Sequence, residues 1–89
     1  MDKNTLIKDF SDRIDKLYEV EYGDFKRKVG QYLMKLESSL ASHIRKNPEA
    51  KKIIQEMSLR IIYSPEPNIE KARQFALECA SRLQKTLTH

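Results

Sequence analysis

The chain has 89 residues, with 17 lysines and arginines against 13 aspartates and glutamates, for a net charge of +4. That length holds one small domain and is too short for a dinucleotide-binding enzyme, a barrel enzyme or a kinase. Two glycines and three prolines are too few to turn an all-β chain through its corners, whereas 34% charged and 39% hydrophobic residues suit a helical bundle or coiled coil.

The first apolar series, Leu6, Ile7, Phe10, Ile14, Leu17 and Tyr18, has spacings of three and four and predicts a helix over about 4–22. Asn4 or Thr5 is the expected cap. A second series, Phe25, Val29, Tyr32, Leu33, Leu36, Leu40 and Ile44, predicts a helix over 24–46. Gly23 is the expected break, as a left-handed cap with Asp24 capping the next helix. The alternative is a single rod through residue 46, about 64 Å long at ~1.5 Å per residue. Against the rod, the stripe 7, 10, 14, 17 would next bury Glu21, so the join needs a stutter or a break.

Asn47-Pro48-Glu49 combines a cap, a first-turn proline and an acid at the positive dipole end. It opens a third helix over 48–62 that buries Ala50, Ile53, Ile54, Met57 and Ile61. Pro65 and Pro67 hold the next link extended. Asn68 then caps a last helix over 68–87 that buries Ala72, Phe75, Ala76, Cys79, Ala80 and Leu83. The expected fold is therefore all-α: a single domain over 1–89, built as an antiparallel bundle of four helices, or of three if the first two are fused.

Targeting signals are not expected. Met1-Asp2-Lys3-Asn4 precedes only Leu6 and Ile7 before the next charge, which is no signal peptide. Asp2 excludes myristoylation, Leu87-Thr88-His89 is no prenylation box, and no apolar run approaches ~18 residues. A lone cysteine, Cys79, permits no internal disulfide and suits a cytoplasmic location.

Most chemistry-bearing residues read as structural. Cys79 lies among apolar neighbours and is expected to pack as a small hydrophobe. His43 and His89 lack the partners a metal site needs. Ser39 and His43, four residues apart, lack an orienting acid and an oxyanion hole. Asp9, Asp12 and Asp15 lie on one helical side as a solvated acidic face, without the loop that hard cations require. The chain is thus expected to be non-enzymatic, with no cofactor and no metal.

Charge is unevenly spread. Residues 1–24 hold four cations against seven acids, a net −3, while residues 25–46 hold six cations against Glu37 alone, a net +5. The two segments are expected to pair within or between chains. The alternative is that Lys26, Arg27, Lys28, Lys35, Arg45, Lys46, Lys51 and Lys52 meet the phosphate backbone of a nucleic acid. Three consecutive helical residues diverge by about 100° each, so Lys26-Arg27-Lys28 cannot share a face.

Tyr18, Tyr22, Phe25, Val29 and Tyr32 form the stripe that the sequence offers both to a core and to a protein partner. On a separate line, Gly23, Gly30, Met34 and Ala41 would let a second element approach closely and mark 24–46 as contacted on two sides. A chain this short buries only about 60% of its unfolded surface, which favours association. The expected function is that of a helical protein–protein interaction module, such as a regulatory adaptor, a chaperone or a subunit of a larger assembly. It would act as a homodimer or in a hetero-oligomer, with no membrane involvement.

Overall fold

The computed structural model describes residues 2–17, 20–63 and 68–87. Helices α1 (Lys3–Asp15), α2 (Tyr22–Ser39), α3 (Ala41–Arg45), α4 (Pro48–Met57) and α5 (Ile69–Leu87) follow in order, and a π-helical turn over Ser58–Ile62 continues α4. Tyr18, the Pro65 and Pro67 link and His89 lie outside the described residues.

The long helices alternate in direction. Arg13 of α1 meets Tyr32 of α2, and Gly30 of α2 faces Ile62 in the π turn. Arg60 lies over Phe75 while Asn47, at the other end of α4, reaches Thr86. Arg73, in the first turns of α5, meets the last residue of α1. Along each pair of neighbours, positions that rise on one element fall on the other, as when Leu6, Asp9 and Arg13 share a groove with Ser39, Lys35 and Tyr32. The result is an up-down-up-down bundle in which α1 packs on α2 and α5, and the α4–π segment packs on α5 and α2. Its longest extent is 35 Å, which rules out the 43-residue rod.

One apolar cluster fills the interior, and no polar or charged residue is buried among the described residues. Ile7, Phe10, Ile14 and Leu17 from α1 and just after it, Phe25, Val29, Leu33, Leu36 and Leu40 from α2 and its bend, Ala50, Ile53, Ile54, Met57 and Ile61 from the α4–π segment, and Ala76, Cys79, Ala80 and Leu83 from α5 all belong to it. Ala72 and Phe75 are only half-buried at its edge.

Two caps match the sequence. Asn47 Oδ1 accepts from the Glu49 and Ala50 amides at 3.1 and 3.2 Å, with Pro48 as the first helical residue. Asn68 Oδ1 accepts from the Lys71 amide at 3.0 Å. The first cap differs: Asp2, not Asn4 or Thr5, accepts from the Thr5 amide at 2.8 Å. That bond holds the Asp2 carboxyl below its ordinary range.

The α1–α2 break also differs from expectation. It falls upstream of Gly23: α1 ends at Asp15 rather than near residue 22, and α2 begins at Tyr22. Gly23 lies inside the first turn of α2, and no described glycine has a positive φ. Asp24 is likewise a first-turn residue rather than a cap, and its carboxylate accepts from Arg27 at 3.0 Å. The physical reason is the phase mismatch. A helix continued past Leu17 would bring Glu21 onto the buried stripe; ending it leaves Glu21 exposed and restarts the apolar phase at Phe25.

The segment 24–46 bends at Leu40 (φ −105°, ψ 14°), just after the Ser38-Ser39 pair, a recurrent cause of kinks. The helical bonds continue across the bend: Leu40 N–H donates to Leu36 and Ile44 N–H to Leu40, both at 2.9 Å. Leu40 itself is fully buried, so the bend turns the chain over the end of the core. The expected helix over 48–62 is α-helical only to Met57. In the wider π turn that follows, Tyr63 N–H bonds back to Ser58 at 3.2 Å, five residues away. Each residue then advances by less than the α-helical 100°, so Ile61 and Ile62 both turn inward, toward the core and Gly30.

Candidate interaction surface

The aromatic stripe is mostly internal. Phe25 and Val29 have no exposed surface, so in this fold neither offers a side chain to a docked partner. Tyr22 is half-buried and stacks on Phe25 with centroids 6.4 Å apart and planes 12° apart. The Lys26 ammonium lies 4.9 Å from its ring centroid. Tyr32 is half-buried too, and the Arg13 guanidinium covers its face at 5.6 Å. Arg13 is held in place by Asp9 at 2.9 Å; that bond, with the carboxylate charge behind it, raises the guanidinium pKa further. The stripe faces the core because it shares the phase of Leu33, Leu36 and Leu40, and the tyrosine tips are closed over by neighbouring cations.

The basic residues do not converge on one face. Lys28 and Lys35 line the groove between α1 and α2, opposite Asp9 and, for Lys28, Asp12. The acidic and basic segments thus meet along this groove. Arg27 pairs with Asp24 and Lys26 covers Tyr22. Arg45, Lys46, Lys51 and Lys52 are exposed around the α3–α4 corner. The eight residues therefore divide among the start of α2, its α1 edge and that corner.

Cys79 is fully buried, and burial pushes its thiol up to about 11. A thiol that stays protonated at neutral pH is a poor nucleophile. Ser39 and His43 are both exposed, on either side of the bend at Leu40. No group of three or more His, Cys, Asp or Glu side chains able to hold a metal occurs among the described residues, and no described helix is long and apolar enough to cross a membrane.

The large exposed apolar side chains lie elsewhere. Met34 is 72% exposed, Leu59 65% and Tyr63 74%. Met34 stands on α2, Leu59 in the π turn and Tyr63 just after it, and α2 packs on the π turn along a seam. Gly30, one turn before Met34, faces Ile62 Cδ1 across the position a Cβ would take, at 3.6 Å. Glu37, one turn after it, shares a depression with Ile54, Gln55, Ser58 and Leu59. Met34 therefore stands level with Leu59, and Tyr63 follows Ile62 at the end of the seam. The sequence placed Gly30 and Met34 on a line apart from the aromatic stripe. Leu59 and Tyr63 were not singled out, although helical spacing already sets them opposite the stripe of Ile53, Ile54, Met57 and Ile61.

Arg73 is a second group that sequence periodicity did not single out. Its Nη1 donates to the Asp15 carbonyl at 3.1 Å, and its Nη2 donates to both Glu70 carboxylate oxygens at 2.8 and 2.6 Å. It thereby fastens the start of α5 to the last carbonyl of α1. The only sequence trace of this role is the Glu70–Arg73 spacing of three.

These features define a small all-α bundle with a self-contained core and one apolar seam left open among the described residues. No family model, curated protein or solved structure matches the chain.

Proposed function

We propose that the protein is a non-enzymatic helical interaction module that receives an amphipathic helix of another polypeptide chain along the α2–π seam. One observation carries the reading: Met34, Leu59 and Tyr63 are large and exposed, and they stand on or beside two elements that pack on each other, α2 and the π turn. Apolar side chains collected in this way mark association sites, whereas scattered ones do not. The seam is also a groove between two antiparallel elements, the form that receives a helix through anchors spaced three and four residues apart. A regulatory adaptor, a chaperone or a subunit of a larger assembly would each use such a face.

The test is the mass of the protein at native abundance in its own cell extract. The wild-type chain is expected to run well above its 10.5 kDa monomer. Met34→Asp combined with Leu59→Asp is expected to return it to the monomer without changing its helical circular dichroism. A wild-type chain that runs as a monomer overturns the reading.

The alternative is binding to a nucleic-acid backbone. It draws on the four exposed cations at the α3–α4 corner, Arg45, Lys46, Lys51 and Lys52. Titration against fluorescent single- and double-stranded oligonucleotides separates the two readings: backbone binding falls steeply with salt, whereas apolar docking changes little.

A further inference from the structure

We infer that the helix received by the seam is α2 of a second copy of this chain, packed antiparallel across a two-fold axis level with the midpoint between Gly30 and Met34. The inference rests on the docking role of the seam and names its occupant.

The residues on the outer line of α2 are Gly23, Arg27, Gly30, Met34 and Glu37, with Ala41 just past the bend. Arg27, Met34, Glu37 and Ala41 are exposed, and Gly30 is half-covered by Ile62. A two-fold at that level opposes residues whose numbers sum to one constant. It sets Arg27 opposite the partner's Glu37 and Gly30 opposite the partner's Met34. Gly23, which has nothing within 4 Å of a Cβ position, meets the partner's Ala41. One register thus satisfies three pairings at once: cation on anion, long side chain on glycine, and small on small. Every pairing occurs twice, as an isologous interface requires.

The pairings also account for the composition of the line. Glu37 is the sole acid among residues 25–46, and it stands where the partner's Arg27 arrives. Met34, a flexible side chain that fills irregular gaps, lies opposite a position without a side chain. Ile62, half-buried beside Gly30, flanks the same contact. Leu59 and Tyr63 stand beside the axis and widen the apolar area. Parallel pairing would instead set Arg27 on the partner's Arg27 and Glu37 on the partner's Glu37, so like charges exclude it.

Sedimentation equilibrium of the purified full chain tests the register. A monomer–dimer equilibrium is expected. Arg27→Glu and Glu37→Arg, each placing like charges at both symmetric contacts, should weaken the dimer roughly tenfold or more. The double reversal should restore it to within about threefold. Met34→Asp should remove the dimer while far-ultraviolet circular dichroism stays unchanged. A dimer insensitive to both single reversals, or not rescued by the double, overturns the α2–α2 register. A purified monomer at every concentration overturns the second copy as the occupant. If that monomer still enters a larger complex in extract and loses it on Met34→Asp, the docking role of the seam survives; if no complex forms in extract either, both fail.

Discussion

The two edges of α2 differ in how far the chain itself completes them. On the α1 edge, Tyr32 is covered by Arg13, Arg13 is held by Asp9, and Lys28 and Lys35 face the acids of α1. On the π edge, Gly30 is only half-covered by Ile62, and Met34, Leu59 and Tyr63 remain in solvent. Both edges lie beside the same core stripe, so hydrophobic periodicity does not distinguish them. What distinguishes them is whether long polar side chains on the neighbouring element reach over the apolar surface. Helix α1 supplies Arg13, whereas the π turn and the residue after it present Leu59 and Tyr63.

The largest effect is expected at the stripe that both edges share. Phe25→Ala should cost about 3–5 kcal/mol in urea unfolding, because a fully buried aromatic leaves a cavity. A loss below about 1 kcal/mol would mean that Phe25 is not in the core, and the two edges would no longer have a common centre.

Gly30→Ala should raise stability by about 0.4–1 kcal/mol in the same measurement. The new methyl meets Ile62 Cδ1 at an ordinary 3.6 Å, and the helix loses a flexible residue. Destabilisation would show that α2 and the π turn approach more closely than this.

Arg13→Ala should produce a smaller loss, and high salt should diminish the difference from wild type, because an exposed ion pair and a cation over an aromatic face are both electrostatic. A salt-independent loss would assign the role of Arg13 to packing instead.

Met34→Ser should leave stability within about 0.5 kcal/mol of wild type while weakening association. It is thus the counterpart of Arg13→Ala, a change at an edge that the chain does not complete alone. A large loss of stability in the isolated chain would show that Met34 belongs to the monomer's own core.

Several elements were legible from residue types. Asn47-Pro48-Glu49 reads as a helix start because each residue satisfies a separate local need there, and those needs do not depend on the rest of the fold. Asn68 is similar. The inward positions of Ile53, Ile54, Met57, Ala76, Cys79 and Leu83 follow from helical spacing, and all are buried. Gly23 misled for the opposite reason. A glycine permits a left-handed cap without requiring one, and the phase clash at Glu21 had already ended α1. Phe25 and Val29, which the sequence offered both to a core and to a partner, are buried, because an aromatic series at helical spacing looks the same on an inner face and on an outer one. Only neighbouring helices decide which it is.

The sequence by itself therefore determined the helical class, the two asparagine caps and the apolar phase of each long helix, all of which depend on residues within a turn or two. The tertiary structure decided the π turn that brings Ile62 onto Gly30 and the clasp of Arg73 on Asp15. These join positions 32 and 58 residues apart. No local pattern specifies them, because their energies exist only once the helices have packed.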